Sequence, residues 1–410
     1  MAVLFGPFTQ LVTHPEARLR GPLMDEELVV IPEGGILVRE GMIQAVGPFA
    51  ELSRAFPHAR AGERGATGPN VVMAGLIDCH THLIFAGSRA RDYAARNAGK
   101  TYQEIAAAGG GIKDTLRHTR AASDDELLRL LRQRLDRHLR SGVTTVEVKT
   151  GYGLSVAEEL RMLRLINRAG ERHPAAVVPT CLAAHLVPPE MPDERTWLTT
   201  ILEEIVPVVT AENLARRFDI FVEQGAFSVP AAREYLLALK ERGFDLTVHG
   251  DQFSVGGSQL AAEVGARSVD HLEVSGAAEI ATLAASRTIA TALPGASIGL
   301  GCAFTPARKL LDAGAALAIA SDWNPGSAPQ GDLLAQAAIL GTFEKLSTAE
   351  VLAGITFRAA AALGLSDRGR LAAGQRADFI SFPTQDYREI LYHQGSLKPN
   401  RVWISGSPII

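Results

Sequence analysis

Apolar and polar positions along the chain follow two rhythms. From residue 1 to about 73, short apolar runs (Leu28–Ile31, Gly35–Val38, Met42–Val46) are broken by Gly and Pro about every eight to twelve residues, which predicts a small antiparallel sheet. The stretch from about 373 has the same character, with Ala377–Phe382 and Arg401–Ser405 as strands. Between them, strand-like runs alternate with helical segments rich in Ala, Leu and Arg. The runs are Gly75–His80, Thr144–Lys149, Val177–Ala183, Phe218–Glu223, Asp245–His249, Ser268–His271, Thr288–Leu293 and Ala316–Ala320. Eight parallel strands with intervening helices close into a barrel whose working face lies at the strands' C-terminal ends. The predicted fold is therefore α/β: a (β/α)8 TIM-like barrel over 74–372, with a small β-sandwich domain formed by the N- and C-terminal segments, 1–73 and 373–410.

Ionisable residues stand at or just beyond seven of the eight strand ends: His80 and His82, Lys149, His185, Glu223, His249, His271 and Asp322, with Pro294 at the other. Packing alone would place such groups on the outer helices. The first connection, residues 83–141, far exceeds the few residues usual for such loops and reads as a lid or substrate clamp. It carries Arg89, Tyr102 and the run Gly109, Gly110, Gly111. The glycine run follows no strand and lacks a GK[ST] ending, so it is not a phosphate loop.

Composition narrows the function. With 41 basic and 45 acidic residues and a net charge of −4, the chain has no electrostatic reason to bind nucleic acid or an anionic membrane. At 47% hydrophobic and 21% charged it is globular. No apolar run approaches the ~20 residues of a membrane span, and the N-terminus lacks the basic region of a signal peptide. Cys79, Cys181 and Cys302 fit neither a disulfide framework nor a thiolate zinc site, so the expected location is cytoplasmic. Cys79 is expected to pack on the strand face opposite His80.

His80 and His82 are alternate residues of one strand, so both imidazoles can face the barrel mouth. With His249 and Asp322 they form a three-imidazole, one-carboxylate set that leaves an open position, as a catalytic metal requires. One divalent ion, Zn or Fe, suits these donors. The remaining histidines His14, His58, His118, His138, His173 and His393 are read as surface or packing residues.

Here the chain resembles the amidohydrolase superfamily, through GLIDCHTH (75–82), His249, His271, Asp322 and the closing segment GRLAAGQRAD (369–378). Many such proteins hold two metals. Glu223 could bridge a second, but one metal is the expectation. Further segments resemble the imidazolonepropionases of histidine degradation: FAGSR (85–89), EVKTGYGL (147–154), AHLVP (184–188), VHGDQ (248–252), DHLE (270–273) and SDWNPGS (321–327). That resemblance implies hydrolysis of the cyclic amide of 4-imidazolone-5-propanoate, giving N-formimidoyl-L-glutamate. The residue chemistry suits this substrate. Arg89 offers a two-pronged donor for a propanoate tail. Tyr152, His185 and Gln252 suit the ring's polar groups, while Asn324, Gly326 and Ser327 can bind polar groups of substrate or product. Asp322 is the expected proton shuttle, with His271 as the other acid/base candidate and His185 or His271 as oxyanion donor. The resemblance also leaves a homodimer open.

Two other readings compete. A single-metal aminohydrolase deaminating a purine- or pyrimidine-like ring would use the same ligands, but Arg89 would then have no carboxylate to bind. A catalytically inactive barrel acting as a binding protein predicts missing ligands, whereas all four are present.

Overall fold

The two ends of the chain meet in one sheet. In this computed structural model, which describes residues 2–62, 68–101, 104–105 and 108–410, the N-terminal strands are β1 (Ala2–Thr13), β2 (Val29–Arg39), β3 (Met42–Pro48), β4 (Arg60–Ala61) and β5 (Val71–Ala74). The barrel strands follow: β6 (Leu76–Asp78), β7 (Val143–Lys149), β8 (Ala176–Ala184), β9 (Arg217–Val222), β10 (Asp245–Gly250), β11 (Ser268–His271), β12 (Ile289–Ala292) and β13 (Leu317–Ile319). The chain ends with β14 (Phe379–Phe382), β15 (Arg401–Ile404) and β16 (Ser407–Pro408). Tyr102 lies outside the described residues.

The terminal sheet has the order β16-β15-β14-β5-β1-β2-β3, with β4 also paired to β1. It is mixed rather than antiparallel. The helix Phe49–Ala55 carries the chain back across the sheet, so β4 and β5 return parallel to β1. The two runs read as separate strands around residues 28–38 are one strand, β2. Pro32 pairs with Gln10 and Gly34 with Phe8, and β1 is irregular between Phe5 and Phe8, so this Pro/Gly stretch lies within the ladder instead of making a turn. One face of the sheet buries Phe5, Phe8, Phe379 and Trp403, the last two stacked at 4.7 Å, which ties the N-terminal strands to the C-terminal ones.

Only Gly75 separates β5 from β6, so the sheet feeds directly into the barrel. The eight barrel strands pair in sequence order, all parallel. Between β6 and β13 the seam closes just above the strand ends, where Asp322 N donates to His80 O (3.0 Å) and His82 N to Trp323 O (3.0 Å). The first connection folds into helices Ala90–Asn97, Ile112–Ala121 and Asp124–Arg140. The last is capped by Ser123, opens on three acidic residues and buries Leu127, Leu128, Leu131, Leu135 and Leu139 on one face.

The interior of the barrel is polar. Alternation in β7, β9 and β11 sends Glu147 and Lys149, Asp219, and Asp270 inward, while Val146 and Val148, Phe218 and Ile220, and Val269 join the surrounding apolar core. Cys79 lies in the apolar cluster of the β12–β13 side, as expected for packing.

Far from the barrel mouth, His14 is buried 5.6 Å from the ring of Phe357. Burial, reinforced by Arg370, lowers its imidazole to about 4. Unfolded, it takes a proton near 6.5; folded, it resists until about 4. Its stabilising contribution is therefore complete above pH 6.5 and is lost as pH falls toward 4, by at most ~3 kcal/mol. His14→Gln should flatten the loss of stability between pH 7 and 4.5 in urea unfolding; an unchanged slope would contradict this.

Candidate active site

The strand ends converge on a cavity of about 200 Å³. Its floor is an imidazole cluster. His80 is fully buried behind it, while His82, His249 and His271 face it with Asp322. One ligand atom each from His80, His82 and Asp322 lie within 4.8 Å of one another, as do those of His80, His249 and His271. Asp322 Oδ1 stands 3.5 Å from His80 Nε2 and 3.4 Å from His82 Nε2. Its other oxygen accepts from Asn324 Nδ2 (2.8 Å) and Ser327 Oγ (3.2 Å). Asp322 (φ 50°) and His271 (φ 89°) both adopt left-handed backbone, a local cost of order 1–3 kcal/mol each that aims their side chains inward.

Under the imidazoles lies a buried ionic layer. His80 Nδ1 donates to Asp270 Oδ2 (2.6 Å), and His249 Nδ1 lies 3.0 Å from Asp219 Oδ2. Lys149 Nζ is 2.8 Å from that same Asp219 oxygen and 2.7 Å from Glu147 Oε1, and Glu147 Oε2 accepts from Thr81 N (3.2 Å), between the two histidines. Burial opposes every charge here. Even so, Asp219, Glu147 and Asp270 raise the Lys149 ammonium, while His80 and Lys149 hold Asp270 low, and His249 and Lys149 do the same for Asp219.

These residues fit a divalent cation. With Nδ1 protons directed at carboxylates, the Nε2 atoms of His80 and His249 carry lone pairs. His249 Nε2 faces His82 Nε2 at 3.4 Å, and His80 Nε2 is buried without a hydrogen-bond partner. His82, whose Nδ1 has no partner among the described residues, can present a third lone pair to a cation placed between these rings. Burial and Lys149 oppose charge on His80, yet Asp270 and Asp322 lift its imidazole to about 9, so the field at this position favours positive charge. His82 and His249 are pushed down, chiefly by burial, and stay neutral as metal ligands must. The carboxyl of Asp322 sits well below its usual range: burial would raise it, but the adjacent imidazoles of His80 and His82 outweigh that.

The wall carries the other expected site residues. Arg89, Tyr152, His185, Gln252, Gly326 and Ser327 all line the cavity. His185 Nδ1 lies 3.0 Å from Gly151 O, whose backbone (φ 108°) a Cβ would push against His185. A carbonyl only accepts, so Nδ1 carries the proton and Nε2 faces the cavity as an acceptor. Burial lowers His185 to about 3, keeping it neutral, and raises the Tyr152 phenol, keeping it a donor. His185 is thus arranged to accept from a ring N–H and is unsuited to donate to an oxyanion. Arg89 Nη1 comes so near Gly326 that a Cβ there would lie 2.4 Å away. Asn324 also lines the cavity, but its amide is spent on Asp322, Gly326 N (2.7 Å) and Ser327 N (2.8 Å), bracing that loop.

Among the bracing residues, Glu159 escaped the sequence reading, whereas Glu223 was named there as a strand-end carboxylate. Buried Glu159 accepts from Gly151 N, Gly153 N and Leu154 N (2.8–3.0 Å), fixing the loop of Tyr152. Glu223 turns its carboxylate to Phe253 N (2.9 Å), Ser254 N (3.0 Å) and Ser254 Oγ, so it fixes the loop of Gln252. Asp219 and Asp270 carried one legible signal, an acidic residue at an inward position of an otherwise apolar strand.

A barrel with a pair of histidines just beyond its first strand and a carboxylate after its last is the arrangement of the metal-dependent amidohydrolases, and an amidohydrolase family model matches residues 106–408. A model of the bacterial imidazolonepropionase-like composite domain matches residues 34–59. The chain is 43% identical over 407 residues to the imidazolonepropionase of Deinococcus radiodurans, covering 99% of each, and 44% identical over 380 residues to that of Rubrobacter xylanophilus, covering 92% of this chain and 91% of the other. It belongs to the imidazolonepropionase family and is a hydrolase of C–N bonds. Its fold matches atrazine chlorohydrolase from Arthrobacter aurescens, solved with zinc, at a TM-score of 0.70 and 15% identity, covering 100% and 95% of the two chains.

Because Asp270 fixes the His80 tautomer, Asp270→Asn should weaken zinc binding by about 10- to 100-fold in chelator competition, with the fold retained. Unaltered affinity would show that the carboxylate does not orient the imidazole.

Proposed function

We propose that this cavity hydrolyses the cyclic amide of 4-imidazolone-5-propanoate to N-formimidoyl-L-glutamate, in the cytoplasm, with one divalent ion, zinc or iron. The observation that carries this reading is a half-buried guanidinium, Arg89, on the same cavity wall as a neutral acceptor, His185, above the imidazole cluster. His80, His82, His249 and Asp322 would hold the ion, which supplies Lewis acidity and an activated water at neutral pH.

The chain's own groups do the rest. Arg89 binds the propanoate carboxylate in a two-pronged contact. His185 Nε2 accepts from a ring N–H, the Tyr152 hydroxyl donates to an acceptor on the substrate, and Gln252 orients the ring without ionising. Asp322 is a carboxylate in the resting site and takes a proton from water as its oxygen adds to the ring carbonyl. The ring C–N bond then breaks, the former carbonyl becomes the new carboxylate, and Asp322 returns the proton to the departing nitrogen. His271 Nδ1 lies 3.3 Å from Glu273 Oε1, which leaves its Nε2, grouped with His80 and His249, as a second proton acceptor on the cavity floor. Ser327 and the Gly326 backbone receive polar groups of the product.

The deaminase alternative is disfavoured on the same wall, since a base without a carboxylate gives Arg89, paired through Nε with Asp92, nothing anionic at its Nη1 on the cavity side. In an assay following the absorbance of freshly generated 4-imidazolone-5-propanoate, metal-replete protein should accelerate decay to N-formimidoyl-glutamate, and chelator-stripped protein should not. No acceleration by metallated protein would sink the substrate assignment. Arg89→Ala should raise KM about 10- to 100-fold with bound metal unchanged; parallel loss of metal and activity would refute the clamp.

A further inference from the structure

A second guanidinium lines the cavity on the side of Arg89. Arg96 lies on the helix Ala90–Asn97, one residue before its end, and reaches the same cavity wall. Its Nε and Nη2 atoms are buried and have no hydrogen-bond partner among the described residues. A guanidinium cannot shed its proton, and burying its donors unpaired costs several kcal/mol, so such a group is retained where a partner arrives from outside.

Asp92, on the same helix, organises the pair. Its Oδ2 accepts from Arg89 Nε (2.8 Å) and from Gly111 N (2.8 Å), and it is itself buried. Hydrogen bonding to Arg89 and Gly111, together with the charges of Arg89 and Arg96, holds its carboxyl below the usual range against the opposing effect of burial. Asp92 engages Arg89 through Nε, and Nη1 of the guanidinium lies against Gly326 on the cavity wall. Gly110 packs so closely on Asp92 that a Cβ there would lie 2.4 Å from its carboxylate, so the glycine run locks this arrangement to the first connection. Two guanidiniums around one carboxylate leave one positive charge uncompensated. A single anionic group entering the cavity would neutralise it.

We propose that Arg96 is the second cation of the carboxylate subsite, that Asp92 is the positioning residue holding Arg89 edge-on beside it, and that the pair selects for substrates with a terminal carboxylate. This rests on the proposed function and adds to it a specificity-determining residue. Its test compares two probes differing only at the tail, imidazole-4-propanoate and 4-propylimidazole, titrated calorimetrically against zinc-loaded protein.

Wild-type protein should prefer the carboxylated probe by at least tenfold. Arg96→Met should cut that preference by about tenfold, with affinity for 4-propylimidazole and zinc content retained, which also certifies the fold. Arg96→Lys, which keeps the charge and loses the fork, should restore part of it. Absence of any preference in wild-type protein would overturn the substrate reading itself. A wild-type preference that survives intact in Arg96→Met would overturn only the role of Arg96.

Discussion

Lys149, enclosed by Glu147, Asp219 and Asp270 inside the barrel, is the constraint on which the rest of the structure depends. Taking these charges out of water costs several kcal/mol per ion, and only close mutual pairing offsets it. Once paired, the two aspartates present oxygens at fixed positions to His80 Nδ1 and His249 Nδ1. The imidazoles therefore enter the mouth in one tautomer each, with lone pairs converging. Four buried carboxylates, counting Asp322, against one lysine also make the floor of the cavity a place where added positive charge is favoured.

The same economy appears one layer higher. Three loops that carry cavity residues are held by buried acceptors satisfying their backbone N–H groups: Glu159 under Tyr152, Glu223 under Gln252, Asn324 under Ser327. Loops supply variable chemistry but poor precision, and these brackets give them the rigidity that reacting groups need. Closure of the barrel belongs to this scheme as well. The backbone bonds joining His80 and His82 to Asp322 and Trp323 seal the seam between first and last strands, so the candidate metal-binding residues also complete the barrel. The terminal sheet contributes by feeding β5 straight into β6 through Gly75, which leaves the first histidine strand little freedom to shift.

Much of this could be read before any coordinates. Alternation and run length located the eight barrel strands, because a parallel strand buried on its outer face must be apolar at every other position. The ends of those strands then showed His80, His82, His249, His271 and Asp322 as a group, since a barrel gathers its strand ends at one rim. Less was legible at the edges of the fold. The Pro32–Gly34 stretch looks like a turn by composition, but pairing with β1 overrides that local preference.

The sequence by itself determined the architecture, the donor set and the family, because periodicity and residue type are local properties that survive without coordinates. Tertiary structure decided which donors have a task left. It spent Asn324 and Glu223 on loop backbone, turned His185 into an acceptor through Gly151, and set Asp219 and Asp270 behind the histidines. Residues far apart along the chain, such as His80 and Asp270 with 190 between their numbers, meet only when the barrel closes. Hydrogen-bond partners, tautomers and shifted ionisation follow from that meeting, and no pattern along the chain encodes them separately.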